Sequence, residues 1–167
     1  ILMMTACSIR TETVSDPQVA AAKALAERIL SGQSRNIEFV IVPSDSSDCY
    51  TLEFVDGKLV ISGNSALSMA VGLNHYLKEY CLQTVTWYVR DAVKVPRRLP
   101  KFEGKISRKA VVRDRFFLNY CTFGYTLNWW QWKEWEKEID FMAMNGVNMP
   151  LSVIGNEATV FYTLLDF

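Results

Sequence analysis

From Arg115 onward the chain alternates strand-like and helix-like segments with no hairpin signal between them, and this limits its fold more than any other feature. "RFFLNY" (115–120) reads as a short strand. A loop, "CTFGYTLN", leads into a helix, then the strand "VNMPLSVI" (147–154), then a second helix opening near Asn156. A helix lying between two strands returns the chain to its starting edge, so the strands run parallel. Two such units do not make a stable sheet alone, because both faces need cover and two edges stay open. The second half is expected to be the start of a βα barrel or doubly wound domain, cut after two units.

The first half follows other rules. Asp16-Pro17 reads as an N-cap with proline at the first helical position. Ala22, Leu25, Ala26, Ile29 and Leu30 follow at helical spacing, and Gly32 suits a helix stop. "NIEFVIVP" alternates Ile37, Phe39 and Ile41 with Glu38, Val40 and Val42, as a strand does. In "YTLEFVDGKLVISG" two strands flank Asp56-Gly57, a two-residue hairpin turn that needs positive φ at both positions. A second helix opens at Asn64 or Ser65, with Ala70, Leu73, Leu77 and Tyr80 on one stripe. "TVTWYV" (84–89) is expected to be a fourth strand. A four-stranded sheet covered on one face by two helices is expected, closing near Val89.

Between the halves runs "RDAVKVPRRLPKFEGKISRKAVVRDR", with Pro96, Pro100 and many basic residues. It reads as a linker rather than a nucleic-acid surface, because acidic residues interleave and no aromatics are spaced for base stacking. Eighteen basic and eighteen acidic residues cancel over the 167, so no nucleic-acid or anionic-membrane partner is implied. Half the residues are hydrophobic, enough for a packed core. One histidine and four cysteines (7, 49, 81, 121) without C-x-x-C spacing suggest no metal site, and no cofactor is implied. No stretch of about 20 apolar residues is present for a membrane-spanning helix.

Both ends read as cut. The chain begins at Ile1 and ends at Phe167 inside a helical pattern, so a longer protein is expected. "ILMMTACS" resembles the end of a secretory signal, and Thr5-Ala6-Cys7 a bacterial lipoprotein cleavage box in which Cys7 is lipidated. The alternative is an ordinary cysteine in an apolar terminus. With the box, the expected location is the bacterial periplasm or cell surface. The divisions are 1–15, signal remnant and tail; 16–105, accessory domain with linker; and 106–167, the incomplete second domain.

Four of the five tryptophans fall between Trp129 and Trp135. Asn128 is expected to cap this helix, with Gln131 reciprocating, and Asn145-Gly146 to end it. At about 100° per residue, Trp132, Trp135, Ile139, Met142 and Ala143 share one arc. Lys133, Glu134, Lys137 and Glu138 face away. Trp132 and Trp135 are therefore expected in the core. Trp129 and Trp130 fall off the stripe and face either a pocket or a neighbouring loop.

In a βα series chemistry sits at the C-terminal ends of the strands. Two places qualify, Asn119 through Tyr125 and Ile154 through Glu157. Asn119, the small Cys121 and Thr122, Tyr125 and Glu157 offer what a sugar site uses, ring contact plus directional hydrogen bonds. The plainer reading is a capped loop, with Glu157 placed favourably at a helix N-terminus. Cys121 has no histidine nearby to activate it as a nucleophile, and His75 reads as a helix-surface or helix–sheet residue.

At these residues the chain resembles a known family. "NYCTFGYTLNWWQWKEWEKEIDFMAMNGVNMPL" (119–151) is similar to the start of the catalytic domain in α-N-acetylglucosaminidases of glycoside hydrolase family 89. The shared features are Asn-x-Cys-Thr, a Tyr, a Trp-Trp pair, a Trp before Glu-x-Glu-Ile-Asp, and Met-Ala-x-Asn-Gly-x-Asn. "GLNHYLKEYC" with "VTWY" resembles that family's accessory domain. The resemblance implies an α/β chain: a small α+β accessory domain, then the first two βα units of a truncated (β/α)8 TIM barrel. It implies removal of terminal α-linked N-acetylglucosamine from glycans with retention, by two carboxylates on later barrel strands, so no catalytic residue is assigned here. The implied partners are that glycan and the remainder of the same chain. Asn119, Cys121, Tyr125 and Glu157 match substrate-binding positions. Gly155-Asn156-Glu157 stands where the family has Gly-Gln-Glu, and Phe123-Gly124 replaces a more polar pair. The alternative is a non-catalytic carbohydrate-binding surface lipoprotein on the same scaffold.

Overall fold

The computed structural model describes residues 16–43, 47–88, 93–117, 127–151 and 157–165. Helix α1 (Pro17–Leu30) begins as its sequence dictates: the Asp16 carboxylate accepts the Gln18 N–H at 2.8 Å, and Pro17 follows. The left-handed turn that ends it starts one residue before the glycine, with Ser31 at φ 48° and Gly32 at 83°. Strand β1 (Ile37–Ile41) buries Ile37 and Phe39 and exposes Glu38 and Val40. Strands β2 (Cys49–Val55) and β3 (Lys58–Gly63) form the hairpin, with Asp56 at φ 49° and Gly57 at 83°. Helix α2 (Ala66–Glu79) is capped by Ser65, whose hydroxyl accepts the Ser68 N–H at 3.1 Å.

The sheet order is β1-β3-β2-β4, with β1 parallel to β3 and the other pairs antiparallel. Helices α1 and α2 cover one face, as expected. The core between them holds Leu25, Leu30, Phe39, Leu52, Ile61, Leu73 and Tyr76. Gly72 permits the close approach of α2: a Cβ there would lie 2.8 Å from Ile61 Cγ2 and 3.1 Å from Tyr50 Cδ2.

The fourth strand corrects the sequence reading. It is Lys105–Lys109 (β4), inside the stretch read as a linker, and it pairs with the free edge of β2 from Cys49↔Lys109 to Glu53↔Lys105. The described part of "TVTWYV" (84–88) forms no strand. Its alternation is strand-like, but β4 holds the one remaining place beside β2, and residues 84–88 instead bury Val85 and pack Trp87 against Trp130. The sheet therefore extends to Lys109 rather than closing near Val89.

The second half opens with β5 (Phe116–Phe117). Helix α3 (Trp132–Met144), β6 (Met149–Pro150) and α4 (Glu157–Leu165) follow. Strands β5 and β6 pair in parallel, Phe116↔Met149 and Phe117↔Pro150, as expected of consecutive βα units. This is a mixed α/β accessory domain followed by the start of a barrel.

Candidate functional site

The candidate site lies where β5 and β6 end, since chemistry in βα folds collects at the carboxyl ends of parallel strands. The last rung is Leu151 N–H donating to the Phe117 carbonyl at 3.0 Å. The chain leaving β5 carries Asn119, Cys121 and Tyr125, and these lie outside the described residues, as does Cys7. Glu157 is the first residue of α4, the helix after β6. Its backbone therefore sits at the helix N-terminus expected for it.

The opposite end of the two strands is a fastened joint. The Arg115 guanidinium pairs with Asp48 of the accessory domain, donates to the Gly146 carbonyl, and reaches the Val112 and Arg113 carbonyls at 3.0 and 3.1 Å. The Arg115 main chain donates to Asn148 Oδ1 at 2.8 Å, and Asn148 Nδ2 returns a bond to the Arg113 carbonyl at 2.8 Å. These bonds set the start of β5 against the start of β6, and so aim both strand ends. Gly146 sits at φ +75°, and a Cβ there would crowd Val71 at 3.1 Å. A cavity of about 260 Å³, lined by Asp48, Tyr50, Ser68, Lys109, Arg115 and Asn145, opens at this joint. It lies at the amino ends of the strands and is not the expected catalytic end. Replacing Asp48 with Ala should cost roughly 1–2 kcal/mol in urea unfolding, because a half-buried charged partner is lost. It should also speed amide exchange at Leu151. Unchanged exchange there would separate Asp48 from the strand pairing.

Helix α3 corrects two readings. Its N-cap is Gln131 rather than Asn128: Gln131 and Glu134 form a reciprocal capping box, with Gln131 N–H to Glu134 Oε2 at 3.0 Å. Asn128 belongs to a preceding 3-10 turn, Leu127–Trp129. The buried side also differs. Trp132 is 68% exposed and Ile139 is 45% exposed, whereas Glu138 and Asp140 are buried. Asp140 is buried because α3 docks against the accessory domain. Arg28 of α1 grips Asp140 through two bonds of 2.8 and 2.6 Å, with Glu136 at 3.8 Å. The Asp140 bonds raise the Arg28 pKa. Asn74 of α2 donates to the Met144 carbonyl at 2.7 Å. Phe141 meets Phe117 of β5 edge-on, with ring centroids 5.9 Å apart.

The tryptophans divide accordingly. Trp130 packs between Trp87 and Trp135, with centroids 5.3 and 5.2 Å apart. Trp129 is 81% exposed. His75 takes the helix–sheet position, its Nδ1 2.7 Å from the Tyr50 hydroxyl, and burial lowers its pKa with help from Arg108. Among the described residues no group of His, Cys, Asp and Glu gathers as metal ligands would, and no helix is long and apolar enough to cross a membrane. Sequence reasoning missed Arg115, Asp48, Arg28 and Asp140. Partners separated by 67 and 112 positions leave no periodic signal.

Comparison with known proteins covers both halves. Residues 20–101 match the family model described as the α-N-acetylglucosaminidase (NAGLU) N-terminal domain. Residues 115–167 match the model for the α-N-acetylglucosaminidase (NAGLU) TIM-barrel domain. Human α-N-acetylglucosaminidase is 33% identical over 147 residues, spanning 84% of this chain and 20% of that protein. A family 89 glycoside hydrolase from Clostridium perfringens, solved with PUGNAc, superposes with a TM-score of 0.81 at 31% identity, covering 90% of this chain and 17% of that one. A form of the Clostridium perfringens enzyme with two glutamates replaced by glutamine, solved with its substrate GlcNAc-α-1,4-galactose, gives a TM-score of 0.80 at 31% identity and the same coverage. The chain thus spans about a fifth of the length of these relatives.

Proposed function

Because the chain belongs to the α-N-acetylglucosaminidase family, glycoside hydrolase family 89, we propose that it is the N-terminal part of a retaining exo-glycosidase. The enzyme would remove terminal α-linked N-acetylglucosamine from glycans. The observation carrying this reading is that both halves match the two domains of one family in the same order, the second opening with a parallel β5–α3–β6 unit. Asn119, Cys121, Tyr125 and Glu157 would form the floor of the sugar pocket at the carboxyl ends of β5 and β6.

Retention calls for two carboxyl groups about 5–5.5 Å apart, one a nucleophile and one an acid/base. The relative whose substrate complex carries two glutamate-to-glutamine substitutions supports such a pair. The glutamates of α3 are committed elsewhere. Glu134 closes the capping box, Glu136 lies beside Arg28, and Glu138 is buried. The pair would come from later barrel strands in the remainder of the chain. Export and acylation at Cys7 belong to the same proposal, placing the enzyme at the bacterial periplasm or cell surface, and mass spectrometry of the mature N-terminus tests them.

The deciding experiment is hydrolysis of an aryl α-N-acetylglucosaminide by this chain alone and by the chain extended with the rest of its reading frame. The expected result is no turnover by the chain alone and turnover with retained anomeric configuration by the extended protein. Turnover by the pure 167-residue chain would place the carboxylate pair within it and overturn the assignment. Glycan binding without turnover by the extended protein would favour the non-catalytic lipoprotein.

A further inference from the structure

We propose that Arg97, Arg98 and Lys101 form a binding site for a tetrahedral oxyanion, a phosphoryl or sulfuryl group, on the accessory domain and apart from the barrel strand ends. The three cations line one concavity of about 510 Å³ together with Asn36, Gly57 and Leu99. No carboxylate lines it, and no ion pair among the described residues engages any of the three. Asp56 and Glu103 are near in sequence, but neither borders the cavity. The chain carries no net charge, so this is a local excess rather than a general basic surface.

The arrangement is preset by the backbone. Val95 and Leu99 are anchored in the core, each 7% exposed, and the two arginines lie between them and face outward. Pro96 and Pro100 fix φ on either side. The Tyr76 hydroxyl, rooted in the core, donates to the Pro100 carbonyl at 2.9 Å. A braced backbone leaves only the side chains themselves to be ordered on binding. Arginine's planar fork matches a tetrahedral oxyanion bidentately, and the lysine adds a point charge. At the tip of the hairpin Gly57 leaves open space where a Cβ would stand, so the β2–β3 turn does not block the rim. None of the lining residues is aromatic, which favours a single compact anion over stacked bases.

The test is titration of the chain with inorganic phosphate at constant ionic strength, balanced with sodium chloride, following the arginine Nε–H resonances. Saturable shifts at Arg97 and Arg98 are expected, with affinity falling at least tenfold in the Arg97→Ala/Arg98→Ala double variant. Both side chains are exposed, so the double variant should keep the parent melting temperature. Arg97→Lys/Arg98→Lys should bind with intermediate affinity, since charge remains and the fork is gone. Glucose 6-phosphate and glucose 6-sulfate in parallel distinguish the two sources of the group. Absence of saturable shifts at constant ionic strength, unchanged phosphate affinity in the double alanine variant, or tighter binding of a single-stranded oligonucleotide at the same residues would each overturn the proposal.

Discussion

Replacing Glu138 with Gln should reverse its effect on stability across the acid range, with a swing of about 2–3 kcal/mol between pH 4 and pH 8. Glu138 is 3% exposed, and its Oε2 has no hydrogen-bond partner. Burial pushes the carboxyl from an ordinary 4.5 up to about 7. The sign follows from linkage. Below about pH 4.5 the group is neutral in both folded and unfolded chains and carries no penalty. Between about 4.5 and 7 the unfolded chain ionises while the folded one resists, so stability falls as pH rises, and above 7 the loss is constant. In Glu138→Gln this term is absent. The variant should be less stable than the parent by about 1 kcal/mol at pH 4, where its amide lacks partners. It should be more stable by about 1–2 kcal/mol at pH 8. Urea unfolding followed by tryptophan fluorescence across that range measures the difference curve, in which other titrations cancel. Parallel curves would mean that water reaches the carboxylate.

Truncating Tyr76 to Ala should cost about 3–5 kcal/mol, the largest effect expected of any substitution considered for the accessory domain. The ring is fully buried, stacks on Tyr80 at 5.7 Å and meets Phe54 edge-on at 6.2 Å. Its hydroxyl is the only part with a polar duty, donating to Pro100, and burial raises the phenol pKa far above its usual range. Tyr76→Phe separates the two roles. It keeps the ring and should cost roughly 1 kcal/mol through the orphaned carbonyl. It should also weaken phosphate binding at Arg97 and Arg98 without changing any charge. Equal losses for Phe and Ala would show that the hydroxyl, not the ring, holds this corner.

The candidate site was legible only in outline. The βα order pointed to the ends of β5 and β6, and the parallel pairing Phe117↔Pro150 agrees with it. Asn119, Cys121 and Tyr125 were singled out by their place after β5 and by resemblance, and they lie outside the described residues. The joint that aims those strands was invisible in sequence, because Asp48 and Arg115 belong to different domains and neither breaks a local pattern.

The sequence by itself determined what depends on near neighbours. Asp16-Pro17 began a helix, Asp56-Gly57 made the hairpin, Asn64 or Ser65 opened α2, and the absence of hairpins after Arg115 made β5 and β6 parallel. These follow from caps, backbone dihedrals and periodicity, which act over a few residues. Family membership followed from a run of such residues. Tertiary structure alone decided which segment completed the sheet and which side of α3 was buried. "TVTWYV" and Lys105–Lys109 could each pair with an edge, and only packing chose Lys105–Lys109. The apolar arc of α3 was read as its buried side, yet Trp132 and Ile139 on that arc are exposed, because arc direction says nothing about what stands opposite. Arg28 and Asn74 stood opposite another side, and their bonds to Asp140 and the Met144 carbonyl hold that side against the accessory domain.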